Sequence, residues 1–576
     1  MRKFFSKTIL VIFAILAVAT FLRFYKLDVN PPSLFGDELD LGYQAYSILK
    51  TGRDYYGNLL PIHFHSMAEW RTPLYLYSTV PTVAIWGITP LGVRVPAALF
   101  GVLGVLAAYL LFTTLIPKKI WGLPFGVIPA ALLAISPWHL QYSRAGFEAT
   151  EMLFFLLTGL WLFFKSLKTP KYLWLSVTCL TLTPWVYSTA KFFTPFLIVT
   201  LFLLYRRHIL SIAKPNLIKA AVAGLVVGIP IAYSTIFGGG TARFEYLSIF
   251  TDPTIQGEVG EERLQDARVR GSLVTGISPL LSDRAFHNKF VFWQKVMVRN
   301  ILQSFSSEFL FIKGDPNPRQ SIGTGEFYKI DAILLLLGII FFFTRYTDKK
   351  TKWLVGFWIL AGTLPAAITR DGGNHATRLI LTLPPLIFLV SYGFYDLYNL
   401  LAAKKKGWLS LVYVGAIFVS FIFYQHYYWV HYTYASERWW HAGYKESFSY
   451  IASVEDNYER VFVSMAGEPA WIFLAGWTEY PPDKWQKGFP FETTWVDGFG
   501  RISFIDKYYF GSPTDNQSIY DLSKYITTRD IYLSVAKEVP PNLIMQPGNV
   551  PNGLKLLKAI PYPSGEPAYY IFTKSE

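Results

Sequence analysis

The stretch TILVIFAILAVATFLRF (residues 8–24) decides the fold, because it is apolar and long enough to cross a bilayer. A membrane-spanning helix needs about 17 to 25 such residues. Basic residues precede the stretch, and basic segments stay on the cytoplasmic side of a membrane. A secretory signal peptide looks similar, but Arg23 and Phe24 follow the last apolar residues of the core, up to Leu22, without a small-residue cleavage site. We therefore expect a retained first helix that leaves the cytoplasm.

Apolar runs of this kind recur, and they predict a polytopic membrane protein. Of the 576 residues, 52% are hydrophobic and only 16% are charged, whereas a soluble domain carries about 25% charged residues. The net charge of +14 is dispersed in short clusters, which fits a membrane surface better than nucleic acid. The single cysteine, Cys179, excludes an intramolecular disulfide framework. The runs lie near residues 8–24, 73–90, 94–116, 121–137, 150–165, 172–188, 191–205, 217–237, 330–344, 353–369, 378–397 and 408–426.

The charges between the runs predict which of them cross the membrane. Six connecting segments are rich in Lys and Arg and should be cytoplasmic: 1–7, 116–120, 165–171, 205–219, 344–352 and 396–407. Residue 72 then lies outside and residue 117 lies in the cytoplasm, so an odd number of crossings must separate them. The runs 73–90 and 94–116 therefore cannot both span the membrane. The first contains Pro73, Pro81 and Pro90, and proline breaks a regular helix. We expect a juxtamembrane helix there and eleven crossings in total; the alternative is twelve crossings with several loops that violate the charge rule.

This topology places a large part of the chain outside the cytoplasm: residues 25–93, 138–149, 238–329, 370–377 and 427–576. We divide the chain into a membrane domain, 1–430, and a small extracytoplasmic α/β domain, 431–576. In the second domain, RVFVSM (460–465), DIYLSV (530–535) and AYYIFT (568–573) read as strands between turns. An integral plasma (inner) membrane protein with a cytoplasmic N-terminus is expected, and the lone cysteine favours a prokaryotic cell envelope.

Acids and cations gather on the outer face of this topology, at helix ends. Asp37 and Glu38 follow the first helix, and further members of the set are Glu69, Arg71, His139, Arg144, Glu148, Lys313, Asp315, Arg319, Arg370, Asp371, His375 and Arg378. Each charge alone also suits a solvated helix end, and acids suit a helix N-terminus. No spacing resembles a zinc motif such as HExxH, so no metal is predicted.

A polyprenyl-phosphate sugar is a substrate that fits such a face, because its tail dissolves in lipid and its phosphate lies at the surface. Transfer to a hydroxyl needs a general base, and Asp and Glu serve as such. Arginine donates planar pairs of hydrogen bonds to a leaving phosphate. Aromatic side chains would supply platforms for a sugar ring. The residues thus indicate transfer of a sugar at the outer membrane surface.

Five ordered stretches resemble the GT-C class of membrane glycosyltransferases, family 39 type. They are PPSLFGDELDLGYQAY, EWRTPLY, PLGVRVPAAL, SPWHLQYSRAGFE and FLFIKGDPNPRQ…GTGEFY, and the resemblance covers roughly residues 10 to 430. This family includes protein O-mannosyltransferases and the aminoarabinose transferases that act on lipid A. The resemblance implies a GT-C fold and an enzyme that uses a polyprenyl-phosphate sugar donor.

The resemblance also implies roles for single residues. Asp37 matches the catalytic base and Glu38 the second acid of the motif. The implied donor-phosphate ligands are Arg71, Arg94, Arg144, His375 and Arg378, and the implied substrate-binding residues are Glu69, Tyr43 and Glu148. The chain departs from the family at Arg71, which follows Glu69-Trp70 where relatives have a Glu-Lys-Pro-like stretch, and at Glu148, where relatives often have Asp. No cofactor is predicted.

The sequence leaves the sugar and the acceptor open: the acceptor is a protein, a lipid or a glycan. Besides membrane lipids, no other partner is expected, and nucleic acid is excluded. One alternative is an oligosaccharyltransferase-like enzyme of the same class, which TTWVDGFG (493–500) echoes in part. Another is a lipid-linked sugar transporter or flippase, which would carry ionisable residues in mid-helix. The apolar runs are almost free of charge apart from Lys191, near a helix end.

Overall fold

A computed structural model describes residues 2–67, 70–269, 280–489, 491–513 and 517–576. The described chain is mainly helical up to the 430s and then carries a mixed sheet. Within these residues, seven helical segments are long and apolar enough to cross a membrane. They are Lys7–Phe24, Pro90–Leu115, Ala149–Ser166, Ser188–Leu210, Lys214–Phe237, Ala376–Leu400 and Ala403–Ser436.

Four of the eleven predicted crossings form other helices. They are Val127–Ile135 (9 residues), Leu173–Val186 (14), Asp331–Arg345 (15) and Lys349–Ala367 (19). The first is short because the chain turns at Ser136, whose hydroxyl accepts a hydrogen bond from the His139 amide and starts a new helix, Pro137–Arg144. Every predicted crossing therefore contains a helix. Only seven of the eleven, however, are long and apolar enough within the described residues to be clear membrane spans.

The outer surface of the bundle is apolar in the way that lipid requires. Along Lys214–Phe237, for example, Leu225, Ile229 and Phe237 are exposed by more than half of their surface. Inside the bundle, glycines allow helices to touch: a Cβ on Gly338 would lie 1.9 Å from the Leu389 carbonyl oxygen. Small residues at such crossings are typical of membrane helices, which associate by close packing.

The proline-rich run 73–90 forms a short helix, Leu74–Trp86, with Pro81 inside it. A second helix of the first outer loop, Gly36–Thr51, begins at the acidic pair and is called the Asp37 helix below. The strand pair Phe64–His65 and Trp70–Arg71 lies between the two helices. Between Phe237 and Asp331, the described residues form the α-helices Ala242–Leu247, Ile255–Val269, Leu281–Phe286 and Lys289–Ser304 and a π-helical turn, Glu308–Ile312.

The C-terminal domain has a seven-stranded sheet with the helices Tyr444–Val454, Trp471–Trp477 and Pro482–Gly488. All three predicted strand segments are confirmed, as Arg460–Val463, Asp530–Val535 and Pro567–Lys574, and they are neighbours in the middle of the sheet. The order across the sheet is Leu554–Pro561, Pro567–Lys574, Asp530–Val535, Arg460–Val463, Tyr508–Phe510, Gly500–Ile505 and Thr493–Val496.

The C-terminal domain and the first outer loop share one hydrophobic core. Leu39 and Tyr43 of the Asp37 helix are buried with Phe473 and Trp485 of the C-terminal domain. The two segments therefore lie on the same side of the bundle, in agreement with the charge-based topology. This packing brings the C-terminal domain next to the acidic pair.

Candidate active site

Asp37 lies at the first turn of the Asp37 helix and is accessible. Its side chain is 48% exposed, and its Oδ1 lies 2.8 Å from Nη2 of Arg71, whose side chain is only 13% exposed. Arg71 also donates a hydrogen bond to the Asp37 backbone carbonyl, at 3.4 Å. One guanidinium thus holds an open carboxylate in a fixed place.

A second acid, Asp40, lies on the same face one helical turn further on and was missed by the sequence analysis. Residues three apart are neighbours on a helix, so the DELD spacing was the signal that could have revealed it. Asp40 is buried, and it accepts hydrogen bonds from the Tyr55 and Ser66 hydroxyls, each at 2.7 Å. Its Oδ2 lies 3.5 Å from Nε of Arg71. Burial raises the pKa of Asp40 to about 6, although the positive charge of Arg71 opposes this shift.

Arg71 in turn lies beside the helix Ser188–Leu210. The hydroxyl of the adjacent residue, Thr72, donates a hydrogen bond of 2.7 Å to the Val186 carbonyl, just before that helix. On its other side, Gly239 (φ 80°) approaches Trp70 so closely that a Cβ would lie 2.9 Å from the indole nitrogen. The strand that carries Arg71 is therefore fixed against two segments of the helical bundle.

The same two segments line a cavity of about 320 Å³, which we call the Lys191 cavity. Its walls are mainly apolar, with Phe192, Phe244 and Ile368 among them. Two cations, Lys191 and Arg378, also line it. Hydroxyl groups complete the lining: Ser188, Thr189, Thr235, Thr241 and Thr369. Among the described residues, the buried Oγ1 of Thr189 has no hydrogen-bond partner, so the wall offers an unused polar atom.

Lys191 is a site residue that the sequence analysis noticed only as a lone charge in an apolar run. Its Nζ lies 2.8 Å from Nε2 of His63 and donates a hydrogen bond to the Gly240 carbonyl, at 3.2 Å. Burial and the charge of Lys191 lower the pKa of His63 to about 3. The imidazole is therefore neutral, and it accepts from Lys191 at Nε2 while Nδ1 donates to Ser234, at 2.6 Å.

Arg378 and His375 come close in sequence but lie in different surroundings. Arg378 donates a hydrogen bond of 2.8 Å to the Thr369 hydroxyl, which is also in the wall of the Lys191 cavity. His375 lies with Nδ1 3.9 Å from the buried carboxylate of Asp315. That carboxylate accepts a hydrogen bond of 2.7 Å from the Ala376 amide, and burial raises its pKa to about 6. Of the pair, Arg378 is the residue that lines the Lys191 cavity.

Arg94 and Glu38 form a buried ion pair, away from the Lys191 cavity. Both side chains have no exposed surface, and two hydrogen bonds of 2.8 Å join Nε and Nη2 to the two carboxylate oxygens. The remaining Arg94 donors go to the carbonyls of Leu27, Pro31 and Ser33. Every N–H of Arg94 is thereby used within the protein.

Arg144 is buried in the same way, under the loop that precedes Asp37. It donates to the Tyr428 hydroxyl at 2.8 Å, and its guanidinium carbon Cζ lies 5.0 Å from the centroid of the Trp429 ring. Its other donors reach the backbone carbonyls of Leu22, Arg23, Lys26 and Asn30. These contacts brace the end of the first helix and the loop that leads to the Asp37 helix.

The remaining predicted site residues are dispersed. Tyr43 is buried, donates a hydrogen bond of 2.8 Å to the Tyr480 carbonyl, and packs edge-on against Trp485. Glu148 is half-buried at the start of the helix Ala149–Ser166. Glu69 lies outside the described residues. The structure thus brings together Asp37, Arg71 and the unpredicted Asp40. It places Arg378 and the unpredicted Lys191 in the wall of one cavity.

Comparison with known proteins returned structures but no sequence relatives. No protein-family model matches the chain, and no curated protein matches it. Among solved structures, the apo oligosaccharyltransferase of Archaeoglobus fulgidus has a TM-score of 0.47 at 14% identity. The match covers 81% of this chain and 63% of that protein, so the chain spans less than two thirds of its length.

Two further solved structures match. ArnT from Cupriavidus metallidurans bound to undecaprenyl phosphate has a TM-score of 0.49 at 13% identity, and 97% of each chain is covered. The S. cerevisiae protein O-mannosyltransferase complex bound to the sugar donor has a TM-score of 0.30 at 17% identity, over 42% of this chain and 34% of that one. The chain is similar to these membrane glycosyltransferases, which are of the GT-C class that its sequence motifs resemble.

Proposed function

We propose that this protein is a membrane glycosyltransferase that moves a sugar from a polyprenyl-phosphate donor to an acceptor hydroxyl at the outer face, with inversion at the anomeric carbon. One observation carries the proposal. A half-exposed carboxylate, Asp37, is held by Arg71, and the neighbours Trp70 and Thr72 pack against the segments that line the Lys191 cavity. That apolar cavity presents the cations Lys191 and Arg378. A carboxylate base, a phosphate clamp and an apolar wall are the three elements that such a donor needs.

The Lys191 cavity suits the head of a lipid-linked phosphate. Its apolar walls favour the first isoprene units, because burial of apolar surface is stabilising. Lys191 and Arg378 supply positive charge and N–H donors for phosphate oxygens. The cavity also includes Ser188 and Thr189 in the first turn of the helix Ser188–Leu210, where backbone amides favour an anion.

The chemistry assigned to the site is a single displacement. The acceptor hydroxyl gives its proton to a carboxylate oxygen of Asp37, and its oxygen forms a bond to the anomeric carbon. The bond from that carbon to the phosphate oxygen breaks, and its electron pair leaves with the polyprenyl phosphate. Lys191 and Arg378 stabilise the negative charge that develops there. Arg71 keeps the Asp37 carboxylate oriented, and Asp40 fixes Arg71 from behind.

The buried arginines have a positioning role in this scheme. Arg94, paired with Glu38, and Arg144 hold the segment from Leu22 to Ser33 through backbone carbonyls. They set where Asp37 stands, and their own donors are committed to protein atoms. Tyr43 acts likewise, by joining the Asp37 helix to the C-terminal domain.

The alternatives fit the geometry less well. In an oligosaccharyltransferase-like enzyme the partial motif at 493–500 would contact the acceptor, but Thr493–Val496 is an edge strand, at the opposite end of the sheet from Leu554–Pro561. A transporter or flippase would place ionisable residues along a path through the bundle. Lys191 lies instead in the first turn of its helix, bonded to the outer-loop residue His63. We place the protein in the plasma (inner) membrane, with a cytoplasmic N-terminus and the C-terminal domain outside.

A transfer assay tests this function. Vesicles that contain the full-length protein would receive radiolabelled undecaprenyl-phosphate monosaccharides, and label in envelope glycans, proteins and lipids would be counted. Asp37→Asn should lower transfer by about a hundred- to ten-thousand-fold, the usual effect of removing a general base. The matched control is Asp28→Asn, an exposed acid of the same loop, which should transfer normally. Transfer at the wild-type rate by Asp37→Asn would remove the base from the mechanism, and label that merely changes leaflet would indicate a flippase.

A further inference from the structure

A second cavity, of about 490 Å³, lies in the C-terminal domain. We call it the hairpin cavity, because one wall is the turn between the strands Leu554–Pro561 and Pro567–Lys574. Its other walls come from Arg438 and His441, from Glu468, and from the segment that follows the strand Asp530–Val535. Its volume is within the range of about 300–1,000 Å³ that small-molecule sites occupy.

The charges that line the hairpin cavity are balanced. Arg438 and Lys537 face two acids, Glu468 and Glu566. Paired charges of this kind disfavour a polyanion, since the carboxylates would repel phosphate or sulfate groups. They also disfavour a purely apolar ligand, because burial of the four groups without hydrogen bonds is unfavourable. A neutral polyhydroxyl ligand can donate to the acids and accept from the bases.

His441 supplies an unused hydrogen-bonding atom in this wall. Its Nε2 lies 3.5 Å from a Glu468 carboxylate oxygen. Its Nδ1 is buried, and among the described residues it has no hydrogen-bond partner. Buried polar atoms in proteins are nearly always bonded, so a cavity-lining side chain with an unpaired nitrogen is a candidate to hold a ligand hydroxyl. Of the tyrosines in the lining, Tyr444 and Tyr569 are buried, whereas Tyr562 is partly exposed and offers ring surface against which a sugar can pack.

The hairpin cavity lies close to Asp37. The His441 ring packs edge-on against Phe473, with centroids 5.1 Å apart. The same Phe473 ring lies 3.9 Å from the position that a Cβ on Gly36, the residue before Asp37, would take. The carboxylate of Glu468 interacts electrostatically with Asp37 and with Arg319, and Arg319 in turn stacks over Phe35 at 4.8 Å. One aromatic side chain thus separates the cavity wall from the start of the Asp37 helix.

We propose that the hairpin cavity binds the acceptor, that this acceptor is a neutral glycan, and that Glu468 and His441 hold its hydroxyl groups while one of them reaches Asp37. This inference rests on the proposed function, because it names the acceptor of the same reaction. It also assigns a role to the C-terminal domain, which positions the acceptor across from the lipid-linked donor.

Binding can be measured without donor and without turnover. Full-length protein in lipid nanodiscs would be tested on an array of neutral oligosaccharides, sialylated and sulfated oligosaccharides, and serine- and threonine-containing peptides. Neutral oligosaccharides should bind, and Glu468→Gln should weaken that binding about tenfold, the loss of one charge-assisted hydrogen bond. Lys537→Ala, at an exposed position of the wall, should weaken it as well. The matched control Glu492→Gln, an exposed acid elsewhere in the domain, should bind as wild type does.

The outcomes separate the two proposals. Binding is measured on the wild-type protein without donor and without turnover, so a failed transfer assay leaves the binding result readable. Binding that is confined to anionic glycans, to peptides or to the nanodisc lipid overturns the inference. The inference is also overturned if no neutral oligosaccharide binds. It is overturned equally if Glu468→Gln and Lys537→Ala bind neutral oligosaccharides as tightly as wild type does.

Discussion

The cations beneath the Asp37 loop and the cations of the Lys191 cavity are alike in chemistry and opposite in use. Arg94 and Arg144 are buried, and each of their donors is bonded to a carboxylate, a hydroxyl or a backbone carbonyl. Lys191 and Arg378 line an open, apolar-walled cavity together with several hydroxyl groups, and the Thr189 oxygen there has no hydrogen-bond partner in the described part of the chain. The comparison leads us to expect that a cation is a scaffold where protein atoms saturate its donors and a ligand group where it lines a cavity.

The largest expected effect is a loss of folding stability when one partner of the buried Arg94–Glu38 pair is removed. Arg94→Ala or Glu38→Gln should destabilise the folded protein by about 3–5 kcal/mol, because each leaves a buried partner charge uncompensated. Thermal unfolding in detergent checks this, with Lys191→Ala as the cavity counterpart that should melt within a few degrees of wild type. The double variant Glu38→Gln/Arg94→Gln should recover part of the loss. Unchanged melting of both single variants would contradict a scaffold role.

The pH dependence of folding stability tests the role of Asp40, the buried acid that lies beside Arg71. Burial raises the pKa of Asp40 from 3.8 to about 6, so the folded protein holds this proton more tightly than the unfolded chain does. Ionisation of Asp40 therefore costs stability as pH rises through that window, by about 3 kcal/mol in total. Asp40→Asn lacks this cost, and its melting temperature should rise relative to wild type between pH 4 and pH 7. A relative fall over the same range would show that the ionised carboxylate is the favoured form.

The cavity cations should affect donor binding and leave folding intact. Lys191→Ala and Arg378→Ala should each weaken the binding of undecaprenyl phosphate by about 10- to 100-fold, since hydrogen bonds to charged groups contribute about 1.5–3 kcal/mol. Lys50→Ala, an exposed lysine of the Asp37 helix, is the matched control and should bind normally. Affinity that falls equally in all three variants would indicate a general surface-charge effect, in place of a phosphate site.

Much of the fold could be predicted from the sequence, because apolar runs and the alternation of basic clusters depend on local composition. The central strands were found for the same reason, since Asp530–Val535 is an apolar run between turn residues. The roles of the arginines could not be predicted. Whether Arg94 meets a ligand or the carbonyls of Leu27 and Pro31 depends on contacts between segments far apart in sequence.

Two candidate site residues, Asp40 and Lys191, have a recognisable signal in the sequence. Asp40 stands three residues after Asp37, which is the spacing of a shared helix face. Lys191 is a charge in an apolar run, and such charges are unfavourable in a membrane unless they serve a function. By contrast, the cavity beside Lys191 depends on how Thr72 and Gly239 bring the first outer loop against the bundle, and no local pattern encodes that.

The central claim is that Asp37 stands outside the membrane at the edge of a lipid-phosphate site. The most direct test places a cysteine there, as Asp37→Cys in a Cys179→Ser background, and labels right-side-out vesicles with a membrane-impermeant maleimide. The account predicts labelling without permeabilisation, slowed by added undecaprenyl phosphate, with the slowing lost in Lys191→Ala. Labelling that requires permeabilisation, or that undecaprenyl phosphate leaves unchanged, would contradict it.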